Sequence, residues 1–275
     1  MLTANDLRKL QDAEFDMLKM LINICKKYDL QYYIIGGTLL GAIRHGGFIP
    51  WDDDIDIAMP RKDYEKLINI LKEELKPPFK YRHYSVDDKY REYCLKIINA
   101  NIICYENKND VERSKTFLWL DILPLDAVPD NKIGYNIFKG VVYFLKALLS
   151  FKNIETVRNI KNRPIYETFL IKFAQVVPIK AVINRNCVMK CLDMAIKMCA
   201  NDRAKSIGTF MGAYRFKEVV PKEYFGNGTD VMFGDISVKA PKQVGSYLAH
   251  IYGDYMKLPP KEKQEAHIVK IEFIE

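Results

Sequence analysis

The sequence predicts an α+β fold, with a mixed sheet and helices in residues 1–130, a mainly helical region over 131–215, and a closing segment, 216–275, packing back on the first. Two observations carry this. Apolar residues recur at helical spacing over 4–28 and 61–75. Short alternating or apolar runs bounded by Gly and Pro recur around them, as strands do. At 275 residues and 49% hydrophobic composition, the chain can bury a core without disulfides or structural metal.

Taken in order, Leu7, Leu10, Phe15, Leu18, Leu21, Ile22 and Cys25 line one face of a first helix, 4–28. Residues 32–35 read as a short strand ending in Gly36 and Gly37. TLLGAIRHG is a short helix between that pair and Gly46-Gly47. DIDIAM alternates, which puts Asp54 and Asp56 on one face of a strand and Ile55 and Ile57 on the other. Pro60 ends that strand, a helix covers 61–75, and Pro77-Pro78 stops it. FKYRHYSV and YCLKIINANIICYE read as two strands. FLWLDILPLDAVP sets Asp121 and Asp126 on a third and its exit. Residues 131–215 are helical with breaks near Pro164 and Pro178. GTDVMFGDISVKAP is loop and strand, and PKQVGSYLAHIYG is the final helix, with Pro241 near its start and Gly253 near its stop.

Composition narrows the function classes. The six cysteines are scattered among apolar neighbours; Cys187 and Cys191 are four apart with no second pair or histidine to make a zinc site, so free thiols in a reducing compartment are expected. The polar, helical N-terminus is not a signal peptide. No run of 18 apolar residues exists. IFKGVVYFLKALLS, 137–150, with Lys139 and Lys146 on one face, reads either as a helix lying on a bilayer or as a buried helix with snorkelling lysines. Residues 130–215 hold 15 Lys and Arg against 5 Asp and Glu, within a chain of net charge +7. That surplus suits a phosphorylated or membrane-bound partner or a solvated surface; no motif supports nucleic acid.

The chemistry concentrates in GGTLLGAIRHGGFIPWDDDIDIAM, 36–59, where Asp52, Asp53, Asp54 and Asp56 crowd within five positions. Carboxylates that close repel, and helix capping accounts for one of them rather than four. Asp54 and Asp56, joined by Asp121 if its strand lies beside theirs, are suited to hold Mg²⁺, or Mn²⁺, for phosphoryl transfer. Isoleucine and proline stand where a calcium-binding loop needs spacing and turn residues, so an EF-hand is excluded. Gly36 and Gly37 ahead of a helix let backbone approach a phosphate. Arg44 could clamp phosphate bidentately. Lys96 reads as a second phosphate contact or an edge lysine. Trp51 reads as a cation–π partner or a core residue. His45 has no partner in view for acid–base work.

These residues resemble the LicD family, with fukutin-type proteins as more distant relatives. The resemblance rests on GGTLLGAIRHGGFIPWDDDIDI, on FLWLDILPLDAVP and on IYGDYMKLPP at 251–260. It implies a nucleotidyltransferase (DNA polymerase β-like) core over 1–130. It implies a Gly-Gly pair, an acidic–apolar–acidic–apolar strand at Asp54 to Ile57 and a third acid at Asp121. It further implies transfer of phosphocholine from CDP-choline to a sugar of teichoic acid or lipopolysaccharide, or of another CDP-linked alcohol phosphate such as ribitol. The acceptor would be a glycan, lipid-linked in some members. The setting would be cytoplasmic or peripheral on the inner face of the bacterial plasma membrane. Asp54, Asp56 and Asp121 would then hold metal and serve catalysis together with Asp53. Gly36, Gly37, Thr38, Arg44, Lys96 and Trp51 would meet the donor. A non-catalytic binding protein for membranes or polyanions is the reading from another class.

Overall fold

Thr3 opens the first helix, α1 (Ala4–Lys27), by a reciprocal cap. Its hydroxyl accepts the Asp6 N–H at 3.1 Å while Asp6 Oδ2 accepts back from Thr3. The helix buries Leu10, Met17, Leu18, Leu21, Ile22 and Cys25, together with Glu14. The computed structural model describes residues 2–87, 90, 92–106, 115–151, 184–199, 203–210, 212 and 215–274. They form two compact units, 1–126 with 207–275 and 127–206.

In the first unit β1 (Tyr33–Ile34) leads into α2 (Gly36–His45), which begins at the glycine pair rather than after it and ends on Gly46 at φ 73°. Then follow β2 (Asp56–Pro60), α3 (Arg61–Glu74), β3 (Phe79–Arg82), β4 (Leu95–Tyr105) and β5 (Lys115–Ala127). The sheet is mixed. β1 pairs antiparallel with β2, β2 parallel with β5, and β5 antiparallel with β4. The parallel pair needs a crossover, which α3, β3 and β4 supply. One continuous core joins α1, α2, α3 and the sheet through Leu18, Leu39, Ile57, Leu67, Leu95 and Leu120.

Several boundaries differ from the sequence reading. β3 stops at Arg82, because Val86 and Asp87 turn back to donate to the His83 carbonyl and Ser85 N–H bonds His83 Nδ1. GTDVMFGDISVKAP is a full hairpin, β8 (Thr229–Phe233) with β9 (Ile236–Ala240), turning on Gly234 at φ 61°. The expected final helix, Val244–Tyr252, is not the last element. β10 (Lys270–Phe273) follows and pairs antiparallel with the far end of β4. Within the stretch expected to be helical, β6 (Ser206–Gly208) and a 3₁₀ turn at Arg215–Glu218 appear instead. β7 (Val220–Pro221) pairs with β6.

The second unit contains α4 (Lys132–Phe151) packed on α5 (Arg185–Lys197), the latter capped by Asn184 accepting from Cys187 N–H. The expected breaks near Pro164 and Pro178 lie outside the described residues. α4 buries Phe138 and Val142 but exposes Ile133, Ile137, Val141 and Phe144, with Ile133 at 75%. It is therefore not a buried helix. Among the described residues no helix is long and apolar enough to cross a membrane.

Candidate cation and phosphate site

The sheet register builds the site. Asp56 on β2 lies opposite Asp121 on β5, and Asp121 lies opposite Lys96 on β4. Register partners share a face, so an acid, an acid and an ammonium form one row across three strands. Asp121 is held on both oxygens. Oδ2 accepts the Trp119 Nε1–H at 2.9 Å, and Oδ1 lies 3.6 Å from Lys96 Nζ and 3.4 Å from Cys94 Sγ. Lys96 also pairs with Glu92 at 2.7 Å and sits 4.4 Å from the centre of the Trp119 ring. Burial alone would lower the Lys96 ammonium, but Asp121 and Glu92 outweigh it and hold it above the usual lysine range. Burial pushes the Asp121 carboxyl up, and Lys96 opposes that shift.

The first turn of α2 forms the facing wall. Thr38 Oγ1 accepts the Asp56 N–H at 2.8 Å, and Ile35 N–H donates to the Asp56 carbonyl. A methyl at Gly36 would stand 2.8 Å from Asp56 Oδ2, and one at Gly37 would stand 2.7 Å from Asp52 Oδ2. The glycines thus let two carboxylates reach the helix N-terminus. Arg44, expected to clamp phosphate, donates through Nη1 to the Tyr255 carbonyl at 3.0 Å and through Nε to His45 Nε2 at 2.9 Å. It ties α2 to residues 255–257. Trp51 is half-buried against the core and meets the His45 ring edge-on at 6.2 Å.

The aspartate run enters from the side. Gln11 on α1 donates to the Asp52 carbonyl at 2.8 Å. Asp53, 1% exposed, accepts from the Ile268 N–H and lies 3.2 Å from His267 Nδ1. Its hydrogen bond raises the His267 pKa to about 9. Burial, followed by repulsion from Asp54 and Asp53, raises Asp52 to about 7; burial and Asp53 raise Asp54 to about 6. Asp56 is raised well above the carboxylate range by burial and by Asp54 and Asp121. Glu14, fully buried, is raised by burial and then by Asp54, Asp53, Asp52 and Asp121.

Ligand atoms within 4.8 Å of one another, among the described residues, belong to Asp52, Asp53 and Asp54 and to Glu92, Cys94 and Asp121. Of the expected trio, Asp54 falls in the first group, Asp121 in the second and Asp56 in neither, and Lys96 and Trp119 engage the two oxygens of Asp121. Glu14, a buried carboxylate with no hydrogen-bond partner among the described residues, lies in neither group, and the second group includes the softer Cys94 sulfur, whereas the first offers only hard carboxylate oxygens. Such a set fits a divalent cation. Sequence reasoning missed Glu14, Gln11, Glu92, Cys94, Trp119 and His267. Glu14 left a signal, a charged residue four positions from both Leu10 and Leu18 in an apolar stripe.

Residues 29–131 match the family described as LicD/FKTN/FKRP, nucleotidyltransferase domain. Residues 29–131 are a LicD-type domain. They include Gly36, Gly37, Lys96 and every aspartate of the row. Similarity to the lipopolysaccharide cholinephosphotransferase LicD of Haemophilus influenzae runs further, at 29% identity over 279 aligned positions and 98% of both chains. The ribitol 5-phosphate transferases FKRP of mouse and human are each 38% identical over 45 residues, 16% of this chain and 9% of theirs. The LicD-type domain accounts for β1 to β5, while α1 and β10 lie outside it.

Proposed function

We propose that the chain is a phosphotransferase that moves phosphocholine from CDP-choline to a sugar hydroxyl of a cell-surface glycan, of lipopolysaccharide or teichoic acid type. The supporting observation is the row Asp56–Asp121–Lys96 facing the glycine-opened end of α2, inside a LicD-type domain. The acceptor oxygen forms a bond to the phosphorus bearing choline, the bond from that phosphorus to CMP breaks, and the hydroxyl proton passes to Asp121. Asp54 and Asp56 would hold Mg²⁺, or Mn²⁺, with Asp121 as a third acid once it turns from Lys96, and the ion would supply neutralisation of phosphate oxygens. Asp53 is fixed by His267 and Ile268 and anchors the acidic run. Lys96 lies at the edge of the row, placed to offset charge on departing CMP. Trp51 is the aromatic nearest the run in sequence, suited to a trimethylammonium group.

The relation to FKRP favours a second cargo, another CDP-linked alcohol phosphate such as ribitol phosphate. A purely binding protein would give the acidic row no task. We also place the enzyme at the cytoplasmic surface of a bacterial membrane, acting on a lipid-carried acceptor. Supporting this, unit 127–206 carries 14 Lys and Arg against 5 Asp and Glu, and α4 exposes apolar side chains.

The test is CMP release from purified protein given CDP-choline, Mg²⁺ and a glycan acceptor, beside CDP-ribitol, CDP-glycerol and CDP-ethanolamine. Release is expected to need acceptor and metal and to fall by about 10³-fold or more in Asp54→Ala. Turnover persisting in Asp54→Ala or in EDTA would overturn the assignment.

A further inference from the structure

Glu14 is a buried charge that the packing of α1 does not explain. It lies in the middle of α1, is 0% exposed, and neither carboxylate oxygen has a hydrogen-bond partner among the described residues. A buried carboxyl without a partner costs several kcal/mol unless something positive or a proton meets it. Its surroundings are acidic. Asp54, Asp53, Asp52 and Asp121 are the charges that act on it. One turn earlier on the same helix, Gln11 fastens α1 to the Asp52 and Ile49 carbonyls. α1 is thus docked directly on the acidic run through Gln11, and Glu14, three positions on, lies on the same side of the helix. Packing does not explain the choice. Leu10, Met17, Leu18 and Leu21 around it are all fully buried, and a leucine at 14 would continue their stripe.

We propose that Glu14 is a further carboxylate of the cation site, delivered by α1 from outside the LicD-type domain. This rests on the metal reading above. It extends that reading to a residue that the acidic motif does not contain. Asp52, Asp53 and Asp54 cluster within 4.8 Å of one another and would take the cation directly, while Glu14, outside that cluster, would reach it through bound water, as Mg²⁺ and Mn²⁺ sites allow. With the cation present, the burial of Glu14 beside four other acids is compensated. With the cation removed, loss of the Glu14 charge relieves repulsion from Asp52, Asp53, Asp54 and Asp121.

The experiment measures Mn²⁺ binding to the full chain by calorimetry and by the paramagnetic signal of free Mn²⁺, with no nucleotide present. The variants are Glu14→Gln, Glu14→Leu and Asp54→Asn. Thermal unfolding is followed with and without Mn²⁺. Both Glu14 variants are expected to bind Mn²⁺ about tenfold or more weakly, to melt at higher temperature than wild type when metal-free, and to lose much of the Mn²⁺-induced rise. Leucine keeps the fold testable should glutamine's amide be unsatisfied. Wild-type affinity in both variants, with Asp54→Asn impaired, would overturn the role of Glu14 and leave the metal reading standing. No Mn²⁺ binding by wild type would overturn both.

Discussion

At the scale of single residues, the crowding of carboxylates should be visible in how stability depends on pH. Asp52 and Asp54 are raised to about 7 and about 6 in the folded chain. Their unfolded value is near 3.9, so between about pH 4 and 7 the folded state binds more protons than the unfolded one. Stability from these groups is therefore present at low pH and lost as pH rises through 6 to 7. His267, raised to about 9, has the same sign and loses its contribution at higher pH still. Metal-free protein should melt at higher temperature at pH 5.5 than at pH 8, and saturating Mg²⁺ should remove most of that slope. Gly36→Ala tests the close approach. It adds a left-handed backbone cost of about 1–2 kcal/mol and a methyl 2.8 Å from Asp56 Oδ2. A melting temperature lower by several degrees and weakened Mg²⁺ binding are expected; unchanged metal affinity would mean Asp56 moves aside freely. The aspartate run was legible because its crowding is local in sequence. Glu14 and His267 were not, since they reach Asp52–Asp54 only through tertiary packing. The tie from Arg44 to the carbonyls of Tyr255 and Lys257 was not legible for the same reason: they are more than 200 positions away.

At the scale of elements, α3 is pinned where it begins. Arg61 donates to both oxygens of Asp126 at 2.7 and 2.6 Å, with Asp126 only 3% exposed. Arg61→Ala should cost about 3–5 kcal/mol, because it leaves a buried carboxylate without its guanidinium; a change below about 1 kcal/mol in chemical unfolding would contradict this. α4 invites a different measurement. Replacing Ile137 and Phe144, both more than 60% exposed, by serine should leave stability within about 0.5 kcal/mol. It should also reduce sedimentation with vesicles containing phosphatidylglycerol. Equal sedimentation of this variant and wild type would remove α4 from the membrane contact. Elements with strong periodicity, α1, α3 and β2, stood close to where the sequence put them. β10 did not, because a four-residue edge strand carries little local signal and exists through pairing with β4, more than 160 positions earlier.

At the scale of the molecule, charge and fold divide together. Unit 127–206 carries the positive surplus, while the remaining residues hold 28 Lys and Arg against 30 Asp and Glu. Vesicle binding should therefore weaken strongly between about 0.05 and 0.5 M salt, as the screening length shortens from more than 10 Å to a few. CMP release from soluble acceptor should change far less. The mixed α+β character and the acidic site were readable from the chain, but the order of strands was not, because alternation names a strand without naming its neighbours.

The bond from Ile268 to Asp53 spans 215 positions. A ribosome adding about 5–20 residues per second makes the acidic run roughly 10–40 s before the segment that secures it. Throughout that interval Asp53 lacks His267 and Ile268, and the nascent chain holds its acids without their clamp. Chains halted before residue 267 should then be inert even with the whole LicD-type domain translated.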